Sequence, residues 1–188
     1  TYIDNIEEVD ANFLNPEDTL VVYTPAIPDT NELFQHFVSN EFVLIKRAQM
    51  LGELTQLQKT IAIAGTHGKT SISTFVTHLL MQSEKKCNAF LGGISGNYNT
   101  NFLYHKQSDY VVVEADEYDR SFHHLKPYIS LVSSLEADHL DIYGTFEEVE
   151  KSFRKFVSLT NSDGCVVVKS DIQCEFNDEI TFLTYSLD

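Results

Sequence analysis

Apolar positions in this chain recur with two different periods, and the points where one gives way to the other outline its elements. Residues Thr60–Ala64 form a β-rich apolar run, and shortly beyond it Ile72, Phe75, Val76, Leu79 and Leu80 recur at helical spacing. Tyr110–Val113 is a continuous apolar stretch of the kind that a strand buried on both faces requires. Further strands are predicted at 19–23, 42–45, 87–91, 129–135, 164–168 and 180–185. A helix is predicted over 146–159, with Phe146, Val149, Phe153, Phe156 and Val157 along one side and Thr145 and Glu148 in capping-box spacing. Another begins near Asp29, where Glu32 completes a similar box and Leu33, Phe34, Phe37 and Val38 share a face; the turn-prone Thr24-Pro25-Ala26-Ile27-Pro28 precedes it. Residues 47–58 read as a further helix, and a domain boundary is expected within it, near residue 50.

Strands alternating with helices predict an α/β fold with a mainly parallel sheet flanked by helices. Ligands of such sheets gather at the carboxyl ends of the strands, so the residues that follow each strand are where chemistry is expected. Three of those segments carry it.

After Ala64 comes Gly65-Thr66-His67-Gly68-Lys69-Thr70-Ser71, and then the helix. A strand, a glycine-bearing turn and a helix N-terminus make a phosphate cradle, because free N–H groups and the positive end of the helix dipole both point at the turn. Lys69 adds a point charge for the β- and γ-phosphates, and the Thr70 hydroxyl can ligate Mg²⁺. Gly65, Thr66, His67, Gly68, Lys69, Thr70 and Ser71 are therefore the expected nucleotide contacts, although the strict pattern places a glycine where this chain has Ile63. His67 lies close to substrate without an implied proton-transfer role.

The Tyr110–Val113 run ends in Glu114-Ala115-Asp116-Glu117. An acid directly after such a strand, downstream of a phosphate loop, can hold Mg²⁺; Glu114 is the first choice and Asp116 the second. The 129–135 strand leads into Glu136-Ala137-Asp138-His139-Leu140-Asp141, where His139 between acids suits metal or phosphate chemistry. His36, His78, His105, His123 and His124 read as structural. Gly92-Gly93-Ile94-Ser95-Gly96 allows either a close backbone approach to a ligand or an ordinary turn.

Composition narrows the partners. Thirteen basic against 28 acidic residues give a formal charge of −15, which opposes non-specific nucleic-acid binding and anionic membranes. No transmembrane-length apolar stretch or signal peptide is present in the sequence, so a cytoplasmic setting is expected. Cys87, Cys165 and Cys174 lack metal-ligand spacing and read as reduced structural thiols.

Taken in order, Gly65–Thr70, Glu114–Glu117 and Asp138–Asp141 resemble the Mur ligases, the ATP-dependent amide-forming enzymes of peptidoglycan assembly. Within that family the histidine at 67 and the stretches 114–122 and 138–144 look most like the member acting on UDP-N-acetylmuramate and L-alanine. Val22–Pro28 resembles the closing part of that family's first domain. The resemblance implies that ATP phosphorylates a carboxylate and an amine then displaces phosphate. It implies catalytic roles for Lys69, Glu114 and His139, with Thr70 and Glu114 serving one Mg²⁺ and His139 a second. It also implies that residues 1–50 are the tail of a Rossmann-like UDP-sugar domain and 51–188 most of the central ATPase domain, inactive or nearly so in isolation. A ligase that attaches a ready-made peptide to the same UDP-sugar shares these motifs; the folyl-polyglutamate ligases match them poorly. A small-molecule P-loop kinase and a non-catalytic nucleotide-binding module remain open on the residues alone.

Overall fold

The structure, a computed structural model, describes residues 5–172 and 180–186. It divides into two compact units, Thr1–Leu51 and Gly52–Asp188.

The first unit is built on a βαβ arrangement: β1 (Leu20–Tyr23), α1 (Glu32–Ser39) and β2 (Val43–Lys46), with β1 and β2 paired in parallel. Its aromatic residues do the packing, Phe37 edge-on to the nearly buried Phe42 at 4.9 Å and Tyr23 against Phe34 at 5.2 Å. Helix α1 starts later than its apolar spacing suggests. A turn closes from Asn31 N–H to Pro28 O, and the Asn31 side chain, rather than an Asp29 box, caps the Phe34 N–H at 2.9 Å. Helix α2 (Arg47–Thr55) begins in this unit and ends in the next. It stops short of residue 58 because the Thr60 hydroxyl takes the Thr55 carbonyl, while the Thr55 hydroxyl turns back to Gly52 O, both at 2.8 Å.

The second unit is a seven-stranded sheet. In chain order its elements are β3 (Lys59–Ala64), α3 (Lys69–Gln82), β4 (Asn88–Ser95), β5 (Thr100–Leu103), β6 (Tyr110–Glu114), β7 (Ile129–Val132), α4 (Leu140–Tyr143), α5 (Phe146–Ser158), β8 (Cys165–Lys169) and β9 (Thr181–Tyr185). A 3₁₀ segment, Tyr118–His124, lies between β6 and β7. The spatial order is β5-β4-β6-β3-β7-β8-β9, parallel throughout except for the β4–β5 hairpin. Strand β3 sits between β6 and β7, so the three chemistry-bearing segments leave adjacent strands at the same end of the sheet. Strand β4 runs through Gly92 and Gly93 instead of ending at residue 91, and β7 stops at Val132 instead of 135. Cys174 lies outside the described residues; Cys87 and Cys165 are free thiols, and burial pushes Cys87 up to about 11.

Alternation along the strands sorts the core into two layers. Ile63, Cys87, Ala89, Leu91 and Val112 pack with Ile72, Val76 and Leu80 of α3. The other layer carries Ala62, Ala64, Val111, Val113, Val132, Val166 and Val168, with Phe153, Phe156 and Val157 buried on α5 and Phe122 stacked on Phe156 at 4.9 Å. The apolar period of α3 marks its buried stripe only in part, since Ile72, Val76 and Leu80 meet the sheet and Phe75 and Leu79 do not. Ser73 and Thr77 are fully buried, whereas Phe75 and Leu79 are each 69% exposed. Both stripes satisfy a 3.6-residue repeat, and the residues closest to the sheet are the small ones. Beneath α5, His123 Nε2 lies 3.0 Å from Ser152 O; burial holds its pKa below the ordinary 6.5, and like charge from Lys155, Arg120 and His124 adds to this.

Two outcomes follow for stability. Phe153→Ala should cost about 3–5 kcal/mol and Phe75→Ala less than about 0.5 kcal/mol in chemical denaturation; similar costs would contradict the stripe assignment. Because His123 is held neutral, the unfolded chain takes its proton first as pH falls below 6.5, so this contribution is complete above that value and is lost in acid. His123→Gln should flatten the denaturation free energy between about pH 7.5 and about pH 5.5 relative to the parent.

Candidate active site

Strand β3 delivers its chain into a turn that only glycine allows at two points. Gly65 has φ +140°, and a Cβ there would lie 2.1 Å from Ser133 Oγ and 3.0 Å from Ser134 N. Gly68 has φ +83° and forms the N-cap of α3. The first intrahelical bond runs from Ile72 N–H to Gly68 O at 2.9 Å, which leaves the N–H groups of Lys69, Thr70 and Ser71 directed at the turn. Thr66, His67, Gly68, Lys69, Thr70 and Ser71 line a concavity of about 300 Å³ there. Its walls and the helix dipole suit an anion.

The turn is pinned from β7. Ser133 Oγ donates to His67 O at 2.6 Å, Ser134 Oγ accepts the His67 N–H at 2.8 Å, and Thr66 N–H donates to Ser134 O at 3.2 Å. The Ser133 N–H still reaches Ala64 O of β3 at 3.0 Å, while both serine hydroxyls turn to the loop. The spacing of apolar residues gives no sign of them. His67 itself is exposed at the rim, 3.5 Å from the equally exposed Glu136.

Lys69 folds back into the cradle. Its ammonium donates to Gly65 O and to Glu117 Oε1, each at 2.7 Å, and the pair is buried, with side-chain exposures of 16% and 2%. Glu117 is the principal residue that sequence reasoning misses. Among three acids within four residues, only burial singles it out, and burial is not visible in an acidic stretch. Its Oε2 is buried with no hydrogen-bond partner among the described residues. His139 Nε2 stands 3.8 Å from Glu117 Oε1 and 3.8 Å from Asp138 Oδ2. Glu117, Asp138 and His139 thus place three donor atoms within 4.8 Å of one another, a grouping that could hold a cation. His139 adopts φ +52° as the N-cap of α4 and receives the edge of Tyr118, with ring centres 5.4 Å apart.

Glu114 occupies a different corner. Its Oε2 accepts the Gly92 N–H at 2.9 Å, and a Cβ on Gly92 would fall 2.2 Å from Oε1; a Cβ on neighbouring Gly93 would meet Thr70 Cγ2 at 3.3 Å. The glycine pair therefore makes room for Glu114 and Thr70 side by side. Asp116 spends its carboxylate on the Tyr118 N–H at 3.0 Å, closing a local turn. His78 pairs with Tyr98 Oη at 3.0 Å and His123 with Ser152, away from the cradle.

The arrangement resembles known proteins in a consistent way. A family model described as the Mur ligase middle domain matches residues 63–187. UDP-N-acetylmuramate–L-alanine ligase of Porphyromonas gingivalis is 47% identical over 189 residues, covering 100% of this chain. The chain spans 41% of that relative's length. A solved UDP-N-acetylmuramate–alanine ligase of Thermotoga maritima superposes with a TM-score of 0.71 at 27% identity, covering 81% of this chain and 35% of that one. A Neisseria ligase for UDP-N-acetylmuramate and L-alanyl-γ-D-glutamyl-meso-diaminopimelate shares the fold, with a TM-score of 0.77 at 22% identity over 88% of this chain and 57% of that one. The family match opens inside β3 and takes in the phosphate turn, the Glu114–Glu117 loop and the His139 loop; the chain belongs to the Mur ligase family.

Proposed function

We propose that the chain carries the ATP-handling part of a ligase that joins L-alanine to the lactyl carboxylate of UDP-N-acetylmuramate, a cytoplasmic step of peptidoglycan precursor synthesis. The observation that carries this reading is the cradle: Lys69 and the free N–H groups of α3 lie at the carboxyl end of β3, flanked by the Glu114–Glu117 loop and the His139 loop. The Porphyromonas and Thermotoga relatives bear that ligase's name. On this reading residues 1–50 belong to the UDP-sugar-binding domain and 51–188 to the ATP-binding one.

In the reaction a carboxylate oxygen attacks the γ-phosphorus, the bond to the bridging oxygen of ADP breaks, and an acyl phosphate forms. The alanine nitrogen then attacks the acyl carbon, loses a proton, and phosphate leaves. Residues Thr66 to Ser71 bind and orient the triphosphate, and Lys69 meets charge developing on the transferred phosphoryl group. Thr70 and Glu114 are hard oxygen donors of the kind Mg²⁺ takes beside phosphate, and the unpartnered Oε2 of Glu117 near His139 suits a second cation. Bound there, Mg²⁺ would neutralise phosphate charge so that an anionic carboxylate can approach. Glu117 holds the lysine at the turn.

Full-length protein given ATP and UDP-N-acetylmuramate should release ADP strongly when L-alanine is added. Stimulation only by a peptide acceptor would instead assign the peptide-attaching ligase, and indifference to both would leave a kinase or binding module. Lys69→Ala should lower turnover by about a hundredfold or more, and near-normal turnover would remove the P-loop assignment. Gly65→Ala should weaken nucleotide binding by at least about tenfold in a fluorescent-nucleotide titration, since its Cβ has no room against Ser133 and Ser134.

A further inference from the structure

One buried polar network beside the site has no part in the chemistry above. Tyr143, 4% exposed, donates its hydroxyl to the Glu117 carbonyl at 2.6 Å and lies 3.3 Å from Ser152 Oγ, which in turn lies 3.0 Å from His123 Nε2. The network joins three elements: α4 through Tyr143, α5 through Ser152 and the 3₁₀ segment through His123. It ends on the backbone of the residue that grips Lys69.

The segment it grasps is strained. Asp119 and Arg120 are consecutive non-glycine residues with φ of +51° and +56°, unfavourable conformations that persist only where the surroundings impose them. Tyr143 meets this turn from two sides. Its hydroxyl holds Glu117 O, which also accepts the Arg120 N–H at 2.9 Å, and its ring lies under the Arg120 guanidinium at 4.8 Å. Tyr143 is also one helical turn from His139, its N–H donating to His139 O at 3.0 Å. A single side chain therefore ties the loop after β6, which bears Glu117, to the loop after β7, which bears His139. A phenylalanine would fill the same volume. Among the described residues, the buried hydroxyl is satisfied by the Glu117 carbonyl and the Ser152 hydroxyl.

We propose that Tyr143 is a positioning residue: its hydroxyl holds the 117–120 turn in its left-handed conformation and so sets the Glu117 carboxylate between Lys69 and His139. The proposal rests on the phosphoryl-transfer reading of the site, but its test does not depend on that reading alone. Tyr143→Phe in the full-length protein should lower kcat for ADP release about tenfold while leaving KM for ATP within about twofold, because the loop N–H groups that bind the triphosphate are untouched and what shifts is Glu117 with the lysine that faces the transferring phosphoryl group. It should also weaken by a similar factor the Mn²⁺ binding, followed by electron paramagnetic resonance, that Glu117→Gln removes, a difference that separates the Glu117–His139 grouping from the Thr70–Glu114 corner. Ser152→Ala, one bond further away, should show the same pattern at smaller amplitude. A lowered melting temperature with kcat and Mn²⁺ affinity unchanged would reduce Tyr143 to a packing residue and overturn the proposal. If the parent protein releases no ADP with any acceptor, the ligase reading fails by itself. The Mn²⁺ titration still decides for Tyr143, with equal affinity in parent and variant, including no binding by either, counting against it.

Discussion

The buried contact between Lys69 and Glu117 is the interaction around which the rest of the second unit is arranged. Taking an ammonium and a carboxylate out of water costs several kcal/mol per ion, and the attraction between them offsets this only when the geometry is good and the remaining donors are used. Here the lysine has two partners at 2.7 Å, one on its own loop and one on the neighbouring loop. The carboxylate has one oxygen engaged and one bare. An exposed lysine would sample many rotamers; this one is held at the mouth of the turn, so on the proposed reading it would lose less freedom on meeting a phosphate.

The charge balance of the cradle follows from that contact. Glu114, Glu117 and Asp138 surround the phosphate turn, and Lys69 already answers one of them. A triphosphate brought to the α3 N-terminus meets favourable N–H groups but also this ring of acids. The helix dipole contributes roughly half a unit charge, too little to compensate. On the proposed reading, hard cations between phosphate and carboxylates would resolve the conflict, and the oxygen donors of Thr70, Glu114 and Glu117 are of the kind that suits them.

How much of this could be read from the chain differs by level. The strands that carry the site were legible because a parallel sheet buries both faces, and runs such as Tyr110–Val113 have no other comfortable home. The turn between β3 and α3 was legible because its two glycines, lysine and threonine lie within six residues and their spacing is the geometry. Phe75 and Leu79 were misleading, since a helical repeat fixes a period but not which of two neighbouring stripes meets the sheet. Glu117, Ser133 and Ser134 were hidden for a common reason. Their roles arise from contacts across the sheet to residues 48 and 66–68 positions away, and nothing local distinguishes a buried acid or hydroxyl from an exposed one.

Those cross-sheet contacts also explain why the site can be rigid while made of loops. Each loop closes its own hydrogen bonds on a neighbour: Ser133 and Ser134 on the phosphate turn, Glu114 on the Gly92 amide, Tyr143 on Glu117. The last step is set by what the strands lack. A side chain at Gly92 would displace the Glu114 carboxylate, and one at Gly65 would displace Ser133, so both glycines make room for a neighbour's side chain. Gly65 is required by its own φ as well as by its neighbour, whereas Gly92, in the stretch of β4 where the pairing with β5 shifts register, has no left-handed φ and is required because a carboxylate stands where its Cβ would be. The position of Glu114 is therefore carved by the strand beside it, and the acid and the glycine function as one unit.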